Sequence, residues 1–111
     1  MGKNRENHFG LKGDDFLKLI HNRHEILLLG ENGEMLANVT FPEVTEDVVD
    51  VNRTFVHASQ RGKGLAQKLM KELVEDLELT NRKAILTCSY AKKWFHENPQ
   101  YDKLIVSKIS E

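Results

Sequence analysis

The chain has 111 residues, of which 40 % are hydrophobic and 30 % charged, and its 16 Lys and Arg nearly balance 17 Asp and Glu. That length fits one domain and is short for two. The balance argues against wholesale coating of a nucleic acid, and the patterned apolar content argues against a disordered chain.

No run approaches the roughly 18–20 apolar residues of a membrane span, and Met1 to Gly10 holds no apolar signal core. Neither a nucleic acid nor a membrane is therefore an expected partner. Cys88 is the only cysteine, which excludes an internal disulfide and a Cys-rich zinc site. A reducing, cytoplasmic setting is the expectation. His8, His21, His24 and His96 show no metal-ligand spacing, so no metal is expected.

In chain order, residues 1–13 hold little apolar content and read as a mobile arm. Asp14 to Ile20 fits a short capped helix or an edge strand, because Phe16, Leu17, Leu19 and Ile20 match neither period. Residues 24–30 and 35–41 flank Asn32-Gly33, the favoured pair for a type I′ turn, which predicts an antiparallel hairpin. Pro42 ends its second strand.

Val48 to Val56 alternates as a strand, with Val49, Val51 and Phe55 on one face. Arg53 falls on that apolar face, so either a bulge shifts the period or its stem snorkels to the edge. A bulge would part this strand from its neighbour and re-aim the residues that follow.

A polar loop, His57 to Gly64, then runs into an amphipathic helix. Leu65, Ala66, Leu69, Met70, Leu73, Val74 and Leu77 share one face of it, and Thr80-Asn81 closes it. Ala84 to Cys88 reads as a buried strand beside the third one, parallel to it by a right-handed crossover. Ser89 is the predicted N-cap of a short helix from Tyr90 to His96, stopped by Asn98-Pro99. Leu104 to Val106 suits a last short strand.

The loop before the long helix carries the best chemical lead. A helix starting from Gly62 and Gly64 offers unpaired N–H groups and a positive dipole end to an anion. Arg61, Lys63 and Lys68 crowd that start, and Glu75, Asp76 and Glu78 crowd the end. This reverses the order a macrodipole favours, at a cost of roughly 0.3–1 kcal/mol per adverse charge at most. A bound phosphate would turn the arrangement to use; a solvated loop with incidental charge is the other reading. The loop lacks the Gly-Lys-Ser/Thr ending of a Walker loop and the third glycine of a dinucleotide fingerprint.

Arg61-Gly62-Lys63-Gly64-Leu65-Ala66 matches the Arg/Gln-x-x-Gly-x-Gly/Ala signature of the GNAT superfamily of acyl-CoA N-acyltransferases. With Thr54-Phe55-Val56, the run Cys88 to Phe95 and Asn98-Pro99-Gln100-Tyr101, the chain resembles the small single-domain acetyltransferase-like subgroup from Asn22 to Tyr101. The resemblance implies one compact α/β (α+β) domain over residues 1–111. Its mixed antiparallel and parallel sheet would carry one long and one short helix.

It also implies transfer of an acetyl group from acetyl-CoA to an amine acceptor that the sequence does not identify. Gly62 to Ala66, with Arg61 at their head, would cradle the pyrophosphate of coenzyme A. The backbone of Phe55 and Val56 would pair with the pantetheine arm. Ser89 to Lys93 would flank the CoA tail, with Lys92 or Lys93 reaching a phosphate. Cys88 would serve as an acyl-enzyme nucleophile, line the acetyl pocket or fill core. His57 would act as general base or be solvated; Tyr90 would protonate the leaving thiolate or pack. Most of the N-terminal strand and paired helices that usually shape the acceptor pocket are missing from the pattern. The alternative is therefore a non-catalytic CoA-binding or interaction module with a degenerate acceptor site.

Overall fold

The computed structural model describes residues 5–11 and 15–106, with side chains from Leu17 onward. β1 (Arg5–Leu11), β2 (Asp15–Asn22), β3 (Glu25–Leu29) and β4 (Met35–Thr40) follow one another as an antiparallel meander. The short β5 (Glu43–Thr45) leads into β6 (Val48–Val51) and β7 (Arg53–Val56). A 3-10 turn at Ala58–Gln60 precedes α1 (Leu65–Thr80). β8 (Lys83–Leu86), α2 (Ser89–His96) and a 3-10 turn at Pro99–Leu104 complete the chain. No helix among the described residues is long and apolar enough to cross a membrane.

Two readings of the N-terminal part are corrected. Arg5–Leu11, taken as part of an arm, is a strand paired along its length with β2. Residues 15–22 form neither a helix nor an edge strand, because β2 lies between β1 and β3. Leu17, Leu19 and His21 of β2 are buried, so the alternation that decides the matter starts after Phe16.

The β3–β4 hairpin closes differently from a two-residue turn. Gly30 N–H donates to Glu34 C=O at 2.8 Å and Gly33 N–H to Gly30 C=O at 3.0 Å. Gly33 alone takes a left-handed φ, +82°, and Asn32 does not. A type I′ turn needs both, so the loop has three residues with glycine at the left-handed position.

The segment read as one strand, Val48 to Val56, is two. β6 lies between β5 and β8, pairing in parallel with β8 from Val48↔Lys83 to Val51↔Leu86. β7 instead closes the other sheet as the antiparallel edge neighbour of β4. The switch falls at Asn52–Arg53. Asn52 N–H donates to Thr40 C=O at 3.2 Å while Arg53 is the register partner of the same Thr40. Two residues facing one make a bulge, and a bulge re-aims the strand. Arg53 is exposed, with its guanidinium 5.5 Å from the centre of the Phe55 ring.

α1 covers one face of the larger sheet, against β3, β4 and β7. Its stripe of Leu65, Leu69, Met70, Leu73, Val74 and Leu77 is buried on the face that carries Ile26, Leu28, Ala37 and Val39. α2 adds Ala91, Trp94 and Phe95 to the core, and Trp94 stacks on Tyr101 with centroids 5.6 Å apart. Cys88, rather than Ser89, is the N-cap of α2, and no side chain caps it. The expected last strand reduces to one parallel bridge, Ala84↔Ile105.

A polar knot ties α1 to the sheet. Arg82, 3 % exposed, donates to Asp76 Oδ2 at 3.3 Å, to Arg23 C=O at 3.0 Å and to Thr80 Oγ1 at 2.9 Å. His21 of β2 meets Glu72 Oε1 at 3.0 Å on the same helix. Burial lowers the Arg82 pKa, against the pull of the Asp76 carboxylate. Removing one partner of a buried pair strands the other, so Arg82→Ala is expected to lower stability by about 3–5 kcal/mol. Lys93 and Glu97, 3.9 Å apart and exposed, make the contrast, so Lys93→Ala is expected to cost less than ~1 kcal/mol. Chemical denaturation of both variants measures the difference.

Candidate functional site

The split strand opens a cleft of about 420 Å³. Thr54, Phe55 and Val56 form one wall, Gln60, Arg61, Gly62, Gly64 and the start of α1 form another, and Tyr90 of α2 also lines it. Thr87 and Cys88 N–H both donate to Val51 C=O, at 3.1 and 3.0 Å, and these are the last backbone ties between the β6 side of the split strand and the end of β8. Beyond them β7 leaves β8, and the side of the strand that held β8 is unpaired.

The register says which backbone groups face that gap. His57 N–H donates to Leu36 C=O at 2.7 Å, and β7 and β4 pair Val56↔Ala37, Phe55↔Asn38 and Thr54↔Val39. Hydrogen-bonded and non-bonded pairs alternate in an antiparallel ladder. Phe55 therefore turns its N–H and C=O to β4, and Thr54 and Val56 turn theirs to the cleft. The expectation that Phe55 supplies backbone groups is corrected; its side chain lines the cleft instead.

The loop that faces this edge is held open by its glycines. Gly62 and Gly64 have φ of +85° and +77°, where side chains are strained, and a Cβ at either would point into open space. Gly64 is the N-cap of α1 and supplies no side-chain cap, and no acidic residue lies in the first turn. A glycine cap in place of a capping side chain forgoes only a few tenths of a kcal/mol, roughly, of helix stability. The first N–H groups of α1 thus face the cleft undischarged. Arg61 Nε donates to Val56 C=O at 3.3 Å and so ties the loop to the strand.

At the far end of α1 the adverse carboxylates are answered from elsewhere in the fold. Arg82 meets Asp76, and Lys103 Nζ lies 3.9 Å from Glu78. The charge order that looks unfavourable along the helix is therefore relieved at its end, while its start has neither a capping side chain nor an acidic residue in the first turn.

Of the residues singled out in the sequence, Phe55, Val56, Arg61, Gly62, Gly64, Leu65, Ala66 and Tyr90 come together around the cleft. Lys63 is exposed beside it, outside its lining. Cys88 is half-buried behind Thr54, its Sγ donating to Thr54 Oγ1 at 3.4 Å, and it does not line the cleft either. His57 is exposed, and its Nδ1 accepts from Ser59 N–H at 3.1 Å, capping the 3-10 turn. Nε2 is the ring nitrogen left for other work. Ser89, Lys92 and Lys93 are exposed on α2 outside the lining.

Thr54, Gln60 and Gln67 line the cleft and were missed. Thr54 was readable, since it lies two residues from Val56 on the same strand edge. Gln60 and Gln67 flank the glycine motif and carry no signal of their own.

Burial first, then the Glu97 carboxylate and the Cys88 thiol, raises the Tyr90 phenol above its ordinary 10.0. Tyr90 is thus a neutral hydrogen-bond donor in the cleft lining throughout the neutral range. Among the described residues no group of three or more His, Cys, Asp or Glu is placed to hold a metal ion.

A family described as GCN5-related N-acetyl-transferase matches residues 23–104. Protein NATD1 of Gallus gallus and of Homo sapiens are each 35 % identical to the chain over 63 residues. That stretch is 57 % of this chain, and 57 % and 56 % of theirs, so only about half of each relative is spanned. In three dimensions the chain is similar to a GCN5-like candidate N-acetyltransferase from Staphylococcus aureus, with a TM-score of 0.67 at 23 % identity. That likeness covers 81 % of this chain and 88 % of the other, and it shows the fold. A candidate acetyltransferase from Deinococcus radiodurans R1 superposes with a TM-score of 0.50 at 20 % identity, over 80 % of this chain and 59 % of that one.

The raised Tyr90 pKa has a measurable sign. Folding favours the neutral phenol, so its contribution to stability is present below pH 10 and lost as pH rises through the folded pKa. Tyrosinate absorbance followed against pH, with Tyr90→Phe as the reference, is expected to assign Tyr90 a midpoint above 10.

Proposed function

Because the chain belongs to the GCN5-related N-acetyltransferase family, we propose that its cleft binds acetyl-CoA and that the protein transfers the acetyl group to an amine. The single observation that carries this reading is that two backbone surfaces, each off the regular ladder, face one another across one gap. One is the Thr54 and Val56 edge of β7; the other is the uncapped start of α1 behind Gly62 and Gly64.

The residues present fit the cosubstrate. The N–H groups of Gly62 to Ala66 are donors for a pyrophosphate, at a helix end whose dipole favours negative charge. The glycines leave no Cβ between that backbone and its ligand. The edge of β7 offers N–H and C=O groups to the amide-bearing pantetheine arm, much as an edge strand receives an added strand. Lys63 and Lys92, both exposed, are cations for phosphate beyond the cleft.

When bound, acetyl-CoA supplies an activated acyl group, and the protein's own residues orient it and manage protons. The Thr54 and Val56 N–H groups, turned to the cleft, would donate to a thioester carbonyl as it gains negative charge. Tyr90, neutral and lining the cleft, would protonate the departing thiolate. Cys88 lies behind Thr54, outside the cleft lining, and acyl transfer straight to the amine needs no nucleophile from the chain. His57 Nε2, just beyond β7, would take the amine proton from the rim.

One observation favours the second reading, a CoA-binding module without catalysis. No Asp, Glu or His lines the cleft itself. A base for the amine must then come from the rim or through water.

Gly64→Val separates the readings from an incidental loop. A β-branched residue at that φ is strained by about 1–3 kcal/mol and blocks the approach to the backbone. Coenzyme A affinity by calorimetry is expected to fall by about 100-fold or more, with the circular dichroism spectrum unchanged. Unaltered affinity would reject the cleft as the CoA site. Thiol release from acetyl-CoA with an amine present supports transfer; binding without release supports the module.

A further inference from the structure

The face of the larger sheet away from α1 carries a buried acceptor with no partner. Asn38 of β4 is 7 % exposed, and its Oδ1 has no hydrogen-bond partner. Its Nδ2 donates to Glu25 Oε2 at 2.8 Å. A carboxylate only accepts, so this bond fixes which end of the amide is oxygen. The orphan is therefore the carbonyl, and a buried carbonyl without a donor calls for an explanation.

Its surroundings say what kind of donor would fit. Asn38 stands in a cross-strand row with Leu27 on β3 and Phe55 on β7, and Ile20 on β2 continues that row. Ile20, Leu27 and Phe55 are half-buried and offer apolar support to a ligand's body. Glu25 adds negative charge beside the orphan oxygen, and it has no cationic partner among the described residues. Arg53, two residues before Phe55 on β7, lies over the Phe55 ring. An orphan carbonyl, a carboxylate and an apolar floor together suit an alkylammonium: the carbonyl and carboxylate take its N–H donors, and the floor takes its chain. An anion or a second carboxylate is disfavoured by the same groups.

The location ties this row to the cleft. Phe55 is the register partner of Asn38 and also lines the cleft, so the row and the cleft share one residue. Resting on the acetyl-CoA reading above, we infer that Asn38 and Glu25 anchor the acceptor, by receiving a protonated amine between the side chains that bury Asn38, on the face of the sheet away from α1 and one strand away from β7. Asn38 and Glu25 act here as positioning groups for the acceptor, and no bond-making step is assigned to them.

The test uses the full chain loaded with coenzyme A and n-butylamine, which is protonated at neutral pH. Titration followed by amide NMR is expected to give a saturable shift of the Asn38 side-chain amide and of the Leu27 and Phe55 backbone. Glu25→Gln, which keeps the shape and removes the charge, is expected to weaken binding about tenfold, and n-butanol is expected to bind about tenfold more weakly than the amine. Asn38→Leu removes the orphan oxygen at similar volume and is expected to abolish the saturable shift; the same spectra show whether each variant is folded. Saturation that leaves the Asn38 amide unmoved, equal affinity in Glu25→Gln, or no saturable binding overturns the proposal. Coenzyme A binding without amine binding rejects this site alone. Amine binding at Asn38 in a protein that does not bind coenzyme A rejects the transferase reading and leaves a cation site.

Discussion

Everything that opens the cleft depends on one local event, the change of partner at Asn52–Arg53. Up to Val51 the chain is a parallel neighbour of β8; from Arg53 it is an antiparallel neighbour of β4. A strand cannot keep both partners through a bulge, because the extra residue reverses which edge each backbone group faces. The consequence is a strand with one satisfied side and one open side, in the middle of an otherwise paired fold. Exposed strand edges are a liability that proteins usually cover. Here the cover is a glycine loop that leaves room for a ligand.

The second half of the site follows from the loop's own chemistry. Without a capping side chain or an acidic first turn, α1 begins with unsatisfied donors and basic neighbours, while its other end is neutralised by Arg82 and Lys103. The buried Arg82–Asp76 pair and the His21–Glu72 contact hold α1 on the sheet, so the helix start keeps its place against β7. Stability is thus concentrated at one end of the helix, and an uncapped start is left at the other.

Much of this was legible in the residues. The α1 stripe from Leu65 to Leu77 is a plain 3.6-residue pattern, and burial follows it. Arg53 broke the alternation of its strand and so marked the bulge before any coordinates did. The glycine signature placed six of its residues at one spot and located five of them on the cleft; Lys63 projects away. What could not be read was set by pairing. Phe55 and Val56 look equivalent in sequence, and only the register with β4 sends their backbone groups in opposite directions. The N-terminal strand β1 escaped because its partner, β2, was itself ambiguous, and a short polar strand declares itself only through its neighbour. Asn38 escaped as well, since an amide inside a strand reads as an exposed position until the packing around it is known. Asn32-Gly33 suggested the right hairpin with the wrong turn, because a three-residue loop needs only the glycine.

The central claim is that a half-open β7 is the docking edge for acetyl-CoA. Amide hydrogen exchange with and without acetyl-CoA tests it residue by residue. In the free protein the Phe55 amide is expected to be protected by β4, and those of Thr54 and Val56 to exchange fast. Added acetyl-CoA is expected to slow Thr54 or Val56, together with Gly62 to Ala66, and to leave Phe55 as it was. Binding that protects none of these amides, or free Thr54 and Val56 amides already as slow as Phe55, would contradict the account.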